Sequence, residues 1–236
     1  IYILFIQGGT MSNYNKVNDE VIAEIKQAVS GKVYVGEEIN EDFFYDEMPI
    51  YGSGMPDVLV DVKTTEEVSR VLKVCNEHKI PVLARGAGTG LTGAGVAIKQ
   101  GVMLNMQTMN EIIEYDEDNM VVRVQPGVLL NELAADCVTK GFLYPPDPGE
   151  KFATLGGNVS TNAGGMRAVK YGTTRDYVMG MEVVLPTGEI TNFGAVVSKS
   201  STGYSLKDLM IGSEGTLGVI TELTLKIVPL PTTTVS

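Results

Sequence analysis

Basic residues are in short supply in this chain of 236 residues, where 18 Lys and Arg stand against 29 Asp and Glu and leave a formal net charge of -11. A surface that neutralises a phosphate backbone is therefore not expected, and nucleic acid is not a partner. His78 is the single histidine, which excludes a multi-histidine metal centre. Cys75 and Cys137 are the two cysteines, far apart and without a C-x-x-C, so neither a disulfide framework nor a thiolate metal site is implied. The apolar run at residues 1–6 is too short to span a bilayer and has no basic flank to make it a signal peptide, so no transmembrane segment is expected. With 44% hydrophobic and 20% charged residues, disorder, collagen and coiled coil are excluded. The expectation is a soluble, cytoplasmic protein of one large or two small domains.

Met11 reads as a natural start, because polar residues 12–19 lead into a helical pattern, and residues 1–10 resemble an expression-tag scar. Residues 11–49 form an N-terminal helical segment, and Pro229-Leu230-Pro231 opens what reads as a linker over residues 230–236. Val21, Ile22, Ile25, Ala28 and Val29 share one helical face, with Asn18 as N-cap and Gly31 as terminator. A strand at residues 57–63 is followed by a capping-box pattern at Thr64 and Glu67, an apolar helical stripe (Val68, Val71, Leu72, Cys75), and a strand at residues 82–84. That is a β-α-β unit with parallel strands. Strand candidates at residues 102–106, 112–115 and 120–124 come next, the last two joined as a hairpin. A helix through Leu130, Leu133, Ala134, Cys137 and Val138 ends at Gly141. A second hairpin joins residues 178–185 to 190–193, and an alternating strand runs from Val219 to Ile227. A parallel unit followed by antiparallel hairpins argues for an α+β fold of two subdomains, divided near residue 109.

Glycine is abundant, at 27 residues, and much of it is clustered. Residues 85–93, Arg-Gly-Ala-Gly-Thr-Gly-Leu-Thr-Gly, directly follow a strand; glycine at this density lets backbone N–H groups turn inward to bind phosphate oxygens. Gly88-Thr89-Gly90-Leu91-Thr92-Gly93 matches the dinucleotide G-x-G-x-x-G, but the stretch before the strand at Val102 is too short for the crossover helix that motif needs. Glu111 and Glu114, near the offset of a ribose carboxylate, then carry little weight. A second cluster, residues 155–165, combines close-approach glycines with short polar side chains and reads as a loop suited to a flat heterocycle. A third, residues 212–218, would pass alone as an ordinary turn.

In this order the segments PVLARGAGTGLTG, PPDPGEKFATLGGNVSTNAGG, YGTTRDYV and IGSEGTLGVIT resemble the FAD-binding domain (PCMH type) of the vanillyl-alcohol-oxidase flavoprotein superfamily. Within it they are most similar to the branch that holds the D-type subunit of glycolate oxidase and the D-lactate dehydrogenases, over residues 50–229. The resemblance implies two α+β subdomains, a small parallel β-α-β unit and a larger, mainly antiparallel sheet with helices, with FAD between them. It implies that Arg85, Gly86, Ala87, Gly88, Thr89, Gly90, Leu91, Gly93 and Ala94 hold the FAD pyrophosphate. Pro146, Asp147, Thr154, Gly156, Gly157, Asn158, Thr161, Asn162, Gly164 and Gly165 would line the ribityl chain and isoalloxazine. Tyr171, Gly172, Glu214, Gly218, Val219 and Ile220 would complete the pyrophosphate and adenine side. Thr89 stands where covalent members carry a histidine, which implies non-covalent FAD.

The implied activity is that of a 2-hydroxy-acid dehydrogenase passing hydride from substrate carbon to flavin N5. The resemblance also implies that the base and the carboxylate-binding arginines belong to a following substrate domain. Alternatives are a sugar or alcohol oxidase, an electron-transfer subunit working with an electron-transfer flavoprotein, and a glycine-rich binding module without cofactor. No residue is assigned to catalysis. His78 at a helix C-terminus reads as structural; Asp116-Glu117-Asp118 reads as a solvated turn without the spacing of a calcium loop. Arg167, Lys170 and Arg175 either face flavin or substrate or are surface charges.

Overall fold

A computed structural model describes residues 14–233 apart from Pro49, Tyr51 and Ser198, so Met11 and the stretch before it lie outside the described residues. The first helix, α1 (Asp19–Ala28), begins where Asn18 Oδ1 accepts from the Val21 N–H at 2.9 Å. Its Val21, Ile25 and Ala28 are buried against α2 (Thr65–His78), whose Val68, Val71, Leu72 and Cys75 are all fully buried. Removing each such Val or Leu from water contributes roughly 1.5–3 kcal/mol.

Thr64 caps α2 by accepting from Glu67 N at 3.3 Å, but the expected capping box is only half formed. The Glu67 carboxylate accepts instead from Ser30 N, Ser30 Oγ and Lys63 N at 2.6–2.7 Å. It thereby ties the end of the first helical segment to the start of the second.

The first sheet contains β1 (Val33–Val35), β2 (Val58–Asp61), β3 (Val82–Arg85) and β4 (Val102–Asn105) in the order β1-β2-β4-β3. β2 and β3 are each parallel to β4, which lies between them, and β1 is an antiparallel edge that hydrophobic patterning did not signal. All four residues of β4 are buried, as a central parallel strand requires.

The second sheet is antiparallel. It is built from β5 (Ile112–Asp116), β6 (Val121–Val124), β8 (Val178–Val184), β9 (Ile190–Gly194) and β10 (Val219–Lys226) in the order β5-β6-β10-β8-β9. Between β6 and β8 come α3 (Leu130–Thr139), β7 (Phe142–Leu143), α4 (Leu155–Thr161) and α5 (Ala168–Tyr171); α6 (Leu206–Met210) precedes β10, and β11 (Val228–Pro229) pairs with β7. Apart from a smaller cluster of Ile39, Leu59, Leu83, Ala97 and Met103, one core is formed by α1, α2 and the first sheet, and a second by α3, β6, β8 and β10. They meet because Val184 and Val219 of the second sheet are packed into the first core.

The second glycine cluster corrects the sequence reading: residues 155–161 are helix α4, not loop. Thr154 caps it, with Oγ1 accepting from Gly157 N at 3.2 Å, and this cap, with Leu155 and Val159 buried beneath, outweighs the low helix propensity of Gly156 and Gly157. Among the described residues no helix is long and apolar enough to cross a membrane, and no group of His, Cys, Asp or Glu is arranged to hold a metal ion.

Candidate functional site

The chain leaves β3 at Arg85 and returns to the start of β4 through residues 86–101 without forming a helix, so the first glycine cluster is a loop laid over the end of the sheet. Gly88 and Gly93 take φ of +76° and +73°, the left-handed region that favours glycine. Two neighbours shape this loop from behind. Arg85, only 5% exposed, donates from Nη1 to Gly95 O at 2.7 Å and from Nη2 to Asp42 O and Tyr45 O, each at 2.8 Å. Asp46 Oδ2 accepts from Gly93 N at 2.7 Å. Burial pushes the Arg85 pKa down, against the opposing influence of Asp46 and Asp42.

The other clusters are packed onto this one. A Cβ on Gly86 would fall 2.2 Å from Thr154 Oγ1, and one on Gly156 would fall 2.6 Å from Pro126 Cβ, so both positions require glycine for close approach. Gly212 N donates to Val159 O at 3.1 Å and Glu214 N to Ser160 O at 2.8 Å, which seats the third cluster on α4. Thr92 Oγ1 donates to Glu214 Oε2 at 3.2 Å and joins the third cluster to the first.

These three clusters enclose a cleft of about 450 Å³. Of the residues anticipated from the sequence, Arg85 through Leu91, Ala94, Thr154, Gly156, Gly157, Asn158, Thr161, Asn162, Gly164, Glu214, Gly218, Val219 and Ile220 line it. Gly93, Pro146, Asp147, Gly165, Tyr171 and Gly172 are outside its lining. Gly93 is turned to Asp46; Asp147 is paired with Lys151 and, at 3.4 Å, with Arg167. Gly165 abuts the Asp147 carbonyl, where a Cβ would come within 1.8 Å. Tyr171 and Gly172 lead into the turn at 173–175 that braces the cleft from behind: Asn162 Oδ1 accepts from Thr173 Oγ1 and Arg175 N, and Thr174 Oγ1 donates to Ala163 O. Arg175 donates to the Asp208 and Ile211 carbonyls at 2.8 and 2.9 Å, which makes it a strut rather than a ligand group.

Also lining it, and not named as site residues from the sequence, are Ala84, Thr92, Gly95, Met106, Pro126, Pro148, Glu150 and Ala153, together with Ser160, Ala163 and Gly215 from within the second and third clusters. Met106 and Pro126 follow the ends of β4 and β6, and their convergence depends on how two sheets meet, which no local pattern encodes.

The cleft is chemically quiet. Its titratable lining residues are Arg85, Glu150 and Glu214; Arg85 is engaged as described, Glu150 Oε1 accepts from Phe152 N at 2.7 Å, and Glu214 accepts from Thr92. No histidine or cysteine lines it. His78 is paired with Glu24 at 3.1 Å, and Cys75 and Cys137 are buried free thiols in the two cores. Bare backbone supplies much of the wall, since a Cβ on Gly90 or Gly215 would meet no atom within 4 Å. The Asn158 amide nitrogen is buried with no hydrogen-bond partner among the described residues. Neutral N–H dipoles, an unsatisfied amide and a glycine cradle fit a dinucleotide with a flat polar-edged ring.

Residues 56–194 match the family model for the FAD binding domain. The chain is 63% identical over 223 residues to a D-lactate dehydrogenase of Anaerostipes hadrus, an alignment covering 94% of this chain and 47% of that protein. It is 46% identical over 192 residues to glycolate oxidase subunit GlcD of Bacillus subtilis (strain 168), covering 81% and 41%. Among solved structures, alkyldihydroxyacetonephosphate synthase superimposes with a TM-score of 0.81 at 25% identity, covering 99% of this chain and 44% of that one. The chain spans less than half the length of these curated relatives.

Proposed function

The chain belongs to the FAD-binding-domain family, and from that premise we propose that it is the flavin-holding part of a cytoplasmic dehydrogenase acting on small 2-hydroxy acids of the lactate and glycolate kind. It is a FAD-binding domain homologous to D-lactate dehydrogenase and to a glycolate oxidase subunit. The observation that carries the reading is the meeting of three glycine clusters, remote in sequence, around one cleft of about 450 Å³.

In this reading the N–H groups of residues 86–91 bind the diphosphate, and Thr154, Gly156, Gly157, Asn158, Thr161, Asn162 and Gly164 receive the ribityl chain and ring. Glu214, Gly218, Val219 and Ile220 flank the remaining part. FAD bound there supplies a two-electron acceptor for hydride from a hydroxyl-bearing carbon. The residues of this chain bind and orient; no histidine lines the cleft, its carboxylates Glu150 and Glu214 each hold a local hydrogen bond to Phe152 N and Thr92 Oγ1, and in this reading the hydroxyl proton goes to a group of the substrate domain. The absence of histidine and cysteine from the lining supports non-covalent attachment. Two unpaired buried cysteines fit a reducing compartment. Electrons leave to a redox partner, an electron-transfer flavoprotein being one of suitable chemistry.

The test is the visible spectrum of the purified chain, followed by acid precipitation. Yellow protein that releases FAD into the supernatant is expected, with no turnover of D-lactate or glycolate by this chain alone. A protein that stays colourless and takes up no added FAD overturns the reading; turnover overturns the binding-only role.

A further inference from the structure

Residues 42–48 lie ahead of the stretch matched by the family model, which begins at residue 56, yet they bond the first glycine-rich loop along its length. Asp46 is 8% exposed. Its Oδ2 accepts from Gly93 N at 2.7 Å and its Oδ1 from Met48 N at 2.9 Å, so one carboxylate fixes both its own segment and the loop. Glu47 N donates to Gly90 O at 3.2 Å, holding the middle of the loop. The Arg85 guanidinium spans the base, from the carbonyls of Asp42 and Tyr45 to that of Gly95, and lies 5.5 Å from the Phe43 ring centroid. Gly95 is packed between the two, as a Cβ there would sit 3.0 Å from Arg85 Nη1 and 3.9 Å from Asp46 Cβ. The segment is itself anchored, with Phe43 and Phe44 packed against a core of Ile39, Leu59, Leu83 and Met103.

A carboxylate close behind an anion-binding loop weakens that loop electrostatically unless a cation offsets it, and Arg85 is that cation. What remains is geometry. The Gly93 N–H is bonded to Asp46 and the Gly90 carbonyl to Glu47, and Leu91 and Thr92 between them line the cleft. We propose that residues 42–48 are a positioning clamp for the dinucleotide, in which Asp46 and the Arg85 guanidinium together hold residues 86–95 in the turn that receives the diphosphate. This rests on the reading of the cleft as the FAD site.

The experiment titrates FAD into deflavinated chain, by flavin fluorescence, for wild type, Asp46→Ala and Asp46→Asn, and follows Gly93 amide exchange in each apoprotein. Wild-type binding checks the FAD reading separately from the clamp. Asp46→Ala is expected to weaken FAD by about tenfold or more and to speed exchange at Gly93, because the amide loses its acceptor. Asp46→Asn keeps an oxygen acceptor and is expected to stay within about threefold of wild type. FAD affinity and Gly93 protection unchanged in Asp46→Ala overturn the proposal, as does an equal loss in Asp46→Asn. If Asp46→Ala does not fold, Asp46→Ser decides: weaker FAD with faster Gly93 exchange supports the clamp, and wild-type values for both overturn it.

Discussion

Glycines in the cleft serve two physical purposes, and single substitutions separate them. Gly90 has free space where a side chain would project and a φ outside the left-handed region. Gly90→Ala should therefore keep or slightly raise stability, by up to ~1 kcal/mol, because the unfolded chain loses freedom. The same methyl stands in the cleft, so FAD affinity should fall by roughly tenfold, an overpacking effect. Gly156→Ala is the converse: its Cβ would meet Pro126 Cβ at 2.6 Å, and a loss of roughly 1–3 kcal/mol is expected. Thermal melts of both apoproteins beside FAD titrations check the pair, and a Gly90→Ala protein that melts low but binds normally would refute the assignment. Glycine density was legible in the sequence because a folded chain concentrates glycine where backbone must turn sharply or approach something closely. The task of each glycine was not, since Gly90 and Gly156 look alike until their neighbours are known.

Among the elements, α2 was readable from its stripe and Thr64, whereas α4 was not, because two glycines in seven residues disguise a helix fixed by one threonine cap and two buried side chains. β1 is three half-buried residues, too short for alternation to register. The fate of Glu67 was hidden for the same reason: a capping-box glutamate is expected to bond its own helix, and the arrival of Ser30 is a tertiary event. That buried carboxylate has a pH consequence. Burial raises its pKa, but the hydrogen bonds from Ser30 and Lys63 and the charge of Arg70 carry it below the usual value of 4.5. A depressed folded-state pKa means stability that is present above 4.5 and lost as pH falls through the lower folded value. Glu67→Gln, which cannot satisfy three donors with one oxygen, should cost about 1–3 kcal/mol at neutral pH. It should also flatten the acid limb of the melting curve; an unchanged acid limb would show that Glu67 does not carry the effect.

Across the whole molecule, the α+β division was visible as a change from helix-linked strands to hairpins, but the seam between the two sheets was not. That seam is made by contacts distant in sequence: Thr65 Oγ1 donates to Glu182 Oε1 at 2.6 Å, Ser69 Oγ to Gly188 O at 2.6 Å, and Val184 and Val219 enter the first core. With the cleft drawing its walls from both sides of the seam, FAD should raise the melting temperature of the two sheets together. A stabilisation of about 2.7 kcal/mol is expected at a free concentration one hundred times Kd, and calorimetry resolving two transitions with only one displaced would contradict it. The strand order β1-β2-β4-β3 adds a last implication. β4, one of the two interior strands of its sheet, is reached from β3 by way of the glycine-rich stretch, so the receptor for the nucleotide is also the tether between two paired strands. A protease cut beside the exposed Leu91 would thus do more than damage a ligand contact; it would break the covalent link between the neighbouring strands β3 and β4 and leave their pairing to hydrogen bonds and packing alone.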